Sequence, residues 1–205
     1  MTINAVIFDI GNVLIRWQPE LYFDTLMGEE RRRDMFASVD LHAMNEGIDA
    51  GAPFRSQVYD CAEANPAYAE HIRHWHDNWV KLASPAIDGS VTILRALRAQ
   101  GTPVFFLSNI GMGPFEQGQD AYPFLREYDR AYISGEMKAI KPHAPIYEMV
   151  EADCGLAPET LLFADDRHDN IATAASRGWQ THVFTTPERW QACLISHGVL
   201  PGPVL

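Results

Sequence analysis

The chain contains few cysteines and few cations, and it has no long apolar run. Its three cysteines, Cys61, Cys154 and Cys193, are widely spaced and form no CxxC pair, so we expect a reducing compartment and no disulfide framework. The 16 Lys and Arg residues against 27 Asp and Glu residues give a net charge of -11. Such a charge disfavours nucleic acid and anionic membrane surfaces as partners.

The N-terminus also lacks the features of a targeting segment. No basic stretch precedes an apolar one, and Asp9 interrupts the first apolar run. We therefore expect no signal peptide, no membrane-spanning segment and a cytoplasmic location. The length of 205 residues and the apolar content of 47% predict one domain, or one core with a small insert.

The first apolar run, at residues 5–8, leads directly into Asp9 and then turns through Gly11 and Asn12. A buried strand with this ending places the carboxylate at the carboxyl edge of a sheet, where open α/β sheets bind their ligands. Aspartate also ends many strands as a turn or helix cap. The pattern alone therefore leaves both interpretations open.

Three later segments end in residues that suit phosphate and metal chemistry. In chain order, they are the apolar run 104–107 with Ser108 and Asn109 after it, the loop with Lys141 before Pro142, and the run 161–164 with Asp165 and Asp166 after it. Taken together with Asp9, this ordered set resembles the motifs of the haloacid dehalogenase-like hydrolases. The resemblance covers nearly the whole chain.

Apolar runs alternate with helical patterns along much of the sequence. The strand-like runs lie at 5–8, 104–107, 130–133, 161–164 and 181–184. The clearest helical pattern, at 90–100, ends before Gly101, a residue that favours a helix C-terminus. This alternation predicts an α/β fold with a parallel sheet that is covered on both faces.

The segment between the first two strand-like runs is far longer than the roughly one dozen residues that a βαβ crossover needs. It shows no strand pattern and predicts helices near 19–27, 29–39, 53–64 and 66–82. The resemblance implies that this segment is an α-helical cap over the catalytic edge. We therefore predict a Rossmann-like core of residues 1–16 and 86–205, with an inserted α-helical cap of residues 17–85.

The resemblance implies a role for each motif. Asp9 would act as a nucleophile on phosphorus and form an acyl phosphate. The reaction places negative charge on the phosphoryl oxygens, so the site needs donors and positive charge. Ser108 and Asn109 are expected to hydrogen-bond those oxygens, and Lys141 to bring its charge to both the phosphate and Asp9.

The adjacent carboxylates of Asp165 and Asp166 repel each other unless a cation lies between them. Mg²⁺ accepts carboxylates, carbonyls and water as ligands. By resemblance, Asp9, Asp166 and the backbone carbonyl of Gly11 would bind Mg²⁺ directly, and Asp165 would act behind them or through water. The alternative for the acidic pair is an Asx turn followed by a helix cap.

The position two residues after the nucleophile departs from the phosphatase pattern. Most phosphatases of this superfamily carry a second Asp there, which protonates the leaving oxygen, whereas this chain has Gly11, and Asn12 does not titrate. Metal-bound water, His143 or His168 are candidates for the missing acid, and a substrate with a good leaving group would need less help. The form Phe-Asp-Ile-Gly-Asn-Val is similar to a subgroup that includes phosphatases of glucose 1-phosphate.

These observations predict a Mg²⁺-dependent phosphatase for a small phosphorylated metabolite, with sugar phosphates among the candidates, acting as a monomer or homodimer. Two alternatives stay open. In a dehalogenase, Asp9 would attack carbon and no metal would be needed. A non-catalytic protein that binds phosphorylated metabolites would never acylate Asp9.

Overall fold

A computed structural model gives the fold of residues 2–205. The strands are β1 (Ala5–Phe8), β2 (Ile15–Trp17), β3 (Ala83–Ala86), β4 (Val104–Ser108), β5 (Arg130–Ile133), β6 (Leu161–Asp165) and β7 (Gln180–Val183). The helices are α1 (Pro19–Met27), α2 (Glu29–Ser38), α3 (Leu41–Asp49), α4 (Phe54–Ala64), α5 (Ala69–Asp77), α6 (Trp79–Leu82), α7 (Asp88–Ala99), α8 (Met112–Ala121), α9 (Ser134–Met137), α10 (Ala144–Cys154), α11 (His168–Ser176) and α12 (Pro187–Ser196). Within the described range, none of these helices has the length and apolar character needed to cross a bilayer.

Five strands form one parallel sheet in the order β5-β4-β1-β6-β7, which confirms the predicted α/β class. The last residue of β1, Phe8, pairs with Phe106 of β4 on one side and with Ala164 of β6 on the other. The residues that follow these positions therefore emerge together at the carboxyl edge of the sheet. Polar side chains from three separate motifs meet there as a consequence of strand register.

Both faces of the sheet are covered by apolar side chains. Val6 and Phe8 of β1 pack into one hydrophobic cluster, and Ala5 and Ile7 pack into the other. Because successive side chains of a strand point to opposite faces, a central strand between two helical layers must be apolar at every position. This requirement explains why the apolar runs of the sequence identify the core strands so directly.

Helices α1 to α6 lie between β2 and β3, and these two short strands pair in antiparallel fashion. The sequence pattern predicts no strand between 17 and 85, so this ribbon is a difference from expectation. Trp17 pairs with Ala83. Strand β3 also contains Ser84 and Pro85, two residue types that favour a loop prediction. The predicted boundaries between core and cap fall within the ribbon.

The sequence pattern also passes over helix α3. Its signals are present in the chain, because the Asp40 side chain accepts a hydrogen bond from the backbone N–H of Ala43 and so caps the helix. Leu41, Met44 and Ile48 are buried along one side at helical spacing. The opposite, polar side of this helix is the part that matters for the site.

Candidate active site

A cavity of about 530 Å³ lies at the carboxyl edge of the sheet, between the core and the cap. Six of the seven residues that the sequence predicts for the site line it: Asp9, Gly11, Ser108, Asn109, Lys141 and Asp166. The seventh, Asp165, is fully buried behind the cavity wall. Motifs spread over more than 150 positions of the chain therefore meet at one place.

Lys141 is a buried ammonium group held between two carboxylates. Its Nζ lies 2.5 Å from Oδ2 of Asp165 and 3.1 Å from Oδ1 of Asp9, and it donates a 2.9 Å hydrogen bond to the carbonyl of Leu107. Burial disfavours the charged form, but Asp165 and Asp9 outweigh it and raise the pKa of Lys141. The amine is therefore a fixed positive charge directly beside Asp9.

Asp9 sits at the end of β1, where its Oδ1 accepts a 2.7 Å hydrogen bond from the backbone N–H of Ile10. The pKa of Asp9 is raised to about 7, chiefly by burial; Asp165 and Asp166 also raise it, and Lys141 and Ser108 oppose the shift. A carboxylate nucleophile must be ionised to react. The charged groups of the chain do not by themselves keep Asp9 fully ionised at neutral pH. An additional cation beside Asp9 would favour its reactive, ionised form.

The carboxylate oxygens of Asp9, Asp165 and Asp166 lie within 4.8 Å of one another, the sole acidic group of this kind among residues 2–205. Asp165 is already engaged, because it accepts hydrogen bonds from Lys141, from the Asn170 amide and from the backbone N–H of Arg167. Asp9 and Asp166 are thus the two carboxylates that remain available on the cavity side. Hard divalent cations favour this donor set.

Two asparagines that the sequence analysis does not assign to the site hold the acidic pair in place. Asn12 has a left-handed backbone with φ of 56°, and its Nδ2 donates a 3.0 Å hydrogen bond to Oδ2 of Asp166. The amide of Asn170 donates to both oxygens of Asp165, at 3.0 and 2.9 Å, while its own Oδ1 is buried without a hydrogen-bond partner. An unpartnered buried oxygen in this wall fits a site that receives a cation.

The side chain of Asn109 contacts the Lys141 backbone. Its Oδ1 accepts a 2.8 Å hydrogen bond from the N–H of Lys141, and its Nδ2 donates a 2.9 Å hydrogen bond to the carbonyl of the same residue. Ser108, one position earlier, is buried beside Asp9. The predicted contact of Ser108 and Asn109 with phosphate stays a prediction, and the observed task of the Asn109 side chain is to position Lys141.

The cap supplies a polar wall that sequence reasoning missed. His42, Asn45, Glu46 and Asp49 of α3 all line the cavity, at spacings of three and four residues that place them on one side of the helix. Of the two histidines proposed from the sequence, His143 lines the cavity and His168 does not. The signal that could have found this wall was the polar stripe opposite Leu41, Met44 and Ile48.

A family model described as haloacid dehalogenase-like hydrolase matches residues 3–178. The chain belongs to this family. The resemblance that the ordered motifs carry is therefore confirmed, and the protein is a hydrolase of the haloacid dehalogenase-like (HAD-like) type.

This HAD-like hydrolase is similar to the sesquiterpene phosphatase astK of Aspergillus oryzae, with 23% identity over 191 residues that cover 86% of this chain and 87% of the relative. A HAD family enzyme from Bacteroides thetaiotaomicron, solved with magnesium and inorganic phosphate, superposes with a TM-score of 0.68 at 20% identity, over 93% of this chain and 98% of the other. The L-2-haloacid dehalogenase of Xanthobacter autotrophicus, with chloropropionic acid covalently bound, superposes with a TM-score of 0.63 at 16% identity, over 98% and 85% of the two chains. Structural similarity at 20% and 16% sequence identity shows that these proteins share a fold with this chain.

For this HAD-like hydrolase, the geometry provides three chemical elements at one sheet edge. They are a carboxylate at the end of β1, a buried ammonium 3.1 Å from it, and an acidic pair with one member facing the cavity. A nucleophile, an electrostatic anchor and a cation site are what a displacement at an anionic centre requires. A proton donor is the element that the core motifs do not contain.

Proposed function

We propose that this hydrolase is a Mg²⁺-dependent phosphatase that acts on a small phosphorylated metabolite through an aspartyl phosphate at Asp9. The observation that carries the proposal is the clustering of Lys141, Asp165 and Asp166 around Asp9 at the carboxyl edge of the sheet. A metal-independent attack on carbon would not need the buried acidic pair. The pair therefore favours phosphate over a haloacid as the substrate group.

The chain's own residues support two displacement steps. In the first step, an oxygen of Asp9 bonds to phosphorus as the bond between phosphorus and the leaving oxygen breaks. The leaving oxygen takes up a proton. In the second, water attacks the same phosphorus, loses a proton, and releases inorganic phosphate with an intact Asp9. Lys141 stabilises the phosphoryl charge throughout, because its amine is held at a fixed place by Asp165 and Leu107.

The residues present fit a divalent cation. Asp9, Asp166 and the carbonyl of Gly11 would hold it, and Asp165 would act behind them through Lys141 and Asn170. When bound, Mg²⁺ would neutralise the phosphate dianion and keep Asp9 ionised. Burial and Asp165 raise the pKa of Asp166 as well as that of Asp9. A bound cation would offset both shifts by favouring the ionised carboxylates.

The cavity supports a small organic phosphate as the substrate. Its volume of about 530 Å³ lies within the range of small-molecule sites. Trp17, Trp75 and Trp79 line the cap side, with Trp17 packed against the other two at ring centroid distances of 5.7 and 6.1 Å. The large apolar face of an indole packs against both sugar rings and apolar chains, so sugar phosphates and prenyl phosphates are both candidates.

The test is a screen of sugar, prenyl and aryl phosphates in Mg²⁺ and in chelator, with 2-chloropropionate as a parallel substrate. We expect phosphate release that Mg²⁺ supports and chelator abolishes, without halide release. Rapid quenching with a labelled phosphate ester should trap a phosphorylated Asp9. Halide release in chelator would favour the dehalogenase. Binding of a phosphate ester without phosphorylation of Asp9 would favour the non-catalytic alternative.

A further inference from the structure

The leaving oxygen needs a proton, and Gly11 stands where a titratable group is expected. Its backbone φ lies outside the left-handed region, and a Cβ placed on it would meet no atom within 4 Å. Neither strain nor crowding therefore explains the glycine. The absence of a side chain leaves open space in the cavity wall two residues beyond Asp9.

Asp49, at the C-terminal end of α3, presents a carboxyl group to the same cavity from the cap. Its Oδ2 accepts a 2.9 Å hydrogen bond from Nδ2 of Asn45, and Oδ1 of Asn45 accepts a 3.1 Å hydrogen bond from the indole N–H of Trp75. The indole has no acceptor atom, so it fixes which end of the Asn45 amide faces Asp49. The carboxyl group is thus oriented by a buried tryptophan.

The backbone at Asp49 is hydrogen-bonded to the core beside the segment that follows Ser108. The hydroxyl of Ser134 donates a 2.6 Å hydrogen bond to the carbonyl of Asp49 and accepts a 2.9 Å hydrogen bond from the N–H of Ile110. Gly111 permits this approach, because a Cβ there would come within 2.5 Å of the Ile48 side chain. Asp49 is therefore held directly against the loop that follows Ser108.

We propose that Asp49 is the general acid and base of the phosphatase reaction, a role that rests on the function proposed above. In the first step, its carboxyl proton passes to the leaving oxygen as the bond between that oxygen and phosphorus breaks. In the second step, the resulting carboxylate takes a proton from the water that attacks the phosphorylated Asp9. Each turnover returns Asp49 to its protonated form.

The surroundings of Asp49 favour a protonated carboxyl group at neutral pH. The pKa of Asp49 is raised to about 8, chiefly by burial; Asp9 and Glu46 also raise it, and the Gly111 backbone and Lys141 oppose the shift. The other titratable or charged groups that line the cavity are His42 on α3, Arg16 on β2, His143 before α10, and Asp166 and Arg167 after β6. An acid poised near the working pH is the most effective proton donor.

The other acidic side chain of the α3 wall is less suited to the task. Glu46 stands about one helical turn before Asp49, farther from the place where Ser134 fastens the helix to the core. The same holds for His42, which lies two turns before Asp49 and pairs at 3.4 Å with the exposed Glu20. Among the titratable groups of α3 in the cavity wall, Asp49 is the one whose backbone carbonyl is hydrogen-bonded to Ser134 of the core.

The test compares two phosphates of nearly equal shape. In 4-nitrophenyl phosphate the leaving oxygen is a stable phenolate, whereas in 4-nitrobenzyl phosphate it is an alkoxide that needs a proton. We expect Asp49→Asn to lower kcat/KM for the benzyl ester about a hundredfold and to change that for the phenyl ester less than about threefold. The control Asp60→Asn, at an exposed position of α4, should change neither.

The pH profile supplies a second readout. Wild-type kcat/KM for the benzyl ester should fall above about pH 8 as Asp49 loses its proton, and this limb should be absent in Asp49→Asn. The kcat/KM for the phenyl ester covers the steps up to phosphorylation of Asp9 and so does not include the base step; its retention shows that the variant is folded. Asp49→Ala takes the place of Asp49→Asn if the asparagine variant does not fold. Equal losses on both esters, or no loss on either, would overturn the role of Asp49 while phenyl ester turnover still supports a phosphatase. A wild type that hydrolyses neither ester in Mg²⁺ would overturn both proposals.

Discussion

Asn109 and Lys141 hold each other through a reciprocal pair of hydrogen bonds. The Asn109 side chain accepts from the Lys141 N–H at 2.8 Å and donates to the Lys141 carbonyl at 2.9 Å. These bonds join the end of β4 to a loop 32 positions later, and they set the direction from which the Lys141 amine enters the site. The position of the Lys141 amine therefore depends on a side chain that is hydrogen-bonded to backbone.

Asn109→Ala is expected to lower stability by about 1–2 kcal/mol, since two hydrogen bonds are lost. The looser loop should also lower kcat/KM, because Lys141 must hold its place beside Asp9. Urea unfolding and steady-state kinetics measure the two effects. Asn4→Ala, at an exposed position before β1, is the matched control. An Asn109→Ala variant with wild-type stability would show that these hydrogen bonds add nothing to the fold.

Asp9→Asn should lower the turnover rate by several orders of magnitude, because the amide is a poor nucleophile. The fold should stay intact, because the two side chains are nearly isosteric. The thermal midpoint should rise or stay equal, since the substitution removes a buried group whose charged form burial disfavours. Kinetics and a thermal scan check both expectations. A variant that keeps a tenth of the wild-type rate would rule out Asp9 as the nucleophile.

We expect Asp166→Ala to affect mainly Mg²⁺ binding and Asp165→Ala to affect mainly stability. Asp166 faces the cavity, so its removal should weaken Mg²⁺ binding, measured by titration, with a smaller effect on stability. Asp165 pairs with the buried Lys141, so its removal should cost about 3 kcal/mol or more of unfolding free energy. Equal Mg²⁺ affinity in Asp166→Ala and the wild type would show that the acidic pair is structural.

The stability of the metal-free protein should depend on pH through Asp49. Its pKa is raised in the folded state from 3.8 to about 8, so between these values the folded state binds more protons than the unfolded state. The contribution of Asp49 to stability is therefore fully present below its unfolded pKa and is lost as pH rises through about 8. In chelator, the thermal midpoint of the wild type should decline more steeply than that of Asp49→Asn. Parallel curves would mean that Asp49 titrates normally.

Gly11→Asp should restore a proton donor to the Asp49→Asn variant. The site has space for a Cβ, and its backbone needs no left-handed conformation. We expect the double variant to regain at least about tenfold in kcat/KM on 4-nitrobenzyl phosphate, part of the usual contribution of a general acid. A double variant as slow as Asp49→Asn on that ester would show that a carboxyl group at position 11 does not reach the leaving oxygen.

The core half of the site could be predicted from the sequence because its geometry follows from strand register. A side chain one residue beyond Phe8 must lie near one that follows Phe106 or Ala164, whatever the loops do. Apolar runs identify those strands, and the polar residues after them identify the site. The chemical role of each residue stays a proposal that rests on the resemblance to the family.

The cap half could not be predicted in the same way. Helices of a cap pack through side chains rather than through a ladder of backbone hydrogen bonds, so a sequence does not state which polar stripe faces the core. Asp49 lies 40 positions from Asp9, and its place depends on contacts with Ser134 and Gly111 that have no local signal. The same applies to Asn109, whose hydrogen bonds to the Lys141 backbone are not indicated by its residue type or by its neighbours in the chain.

The hydrogen bond from Ser134 to the carbonyl of Asp49 joins the cap to the core. With Asp9 after a sheet strand and Asp49 on α3, the nucleophile and the acid proposed here belong to different parts of the molecule. The alignment of this pair therefore depends on a serine hydroxyl that does not itself line the cavity.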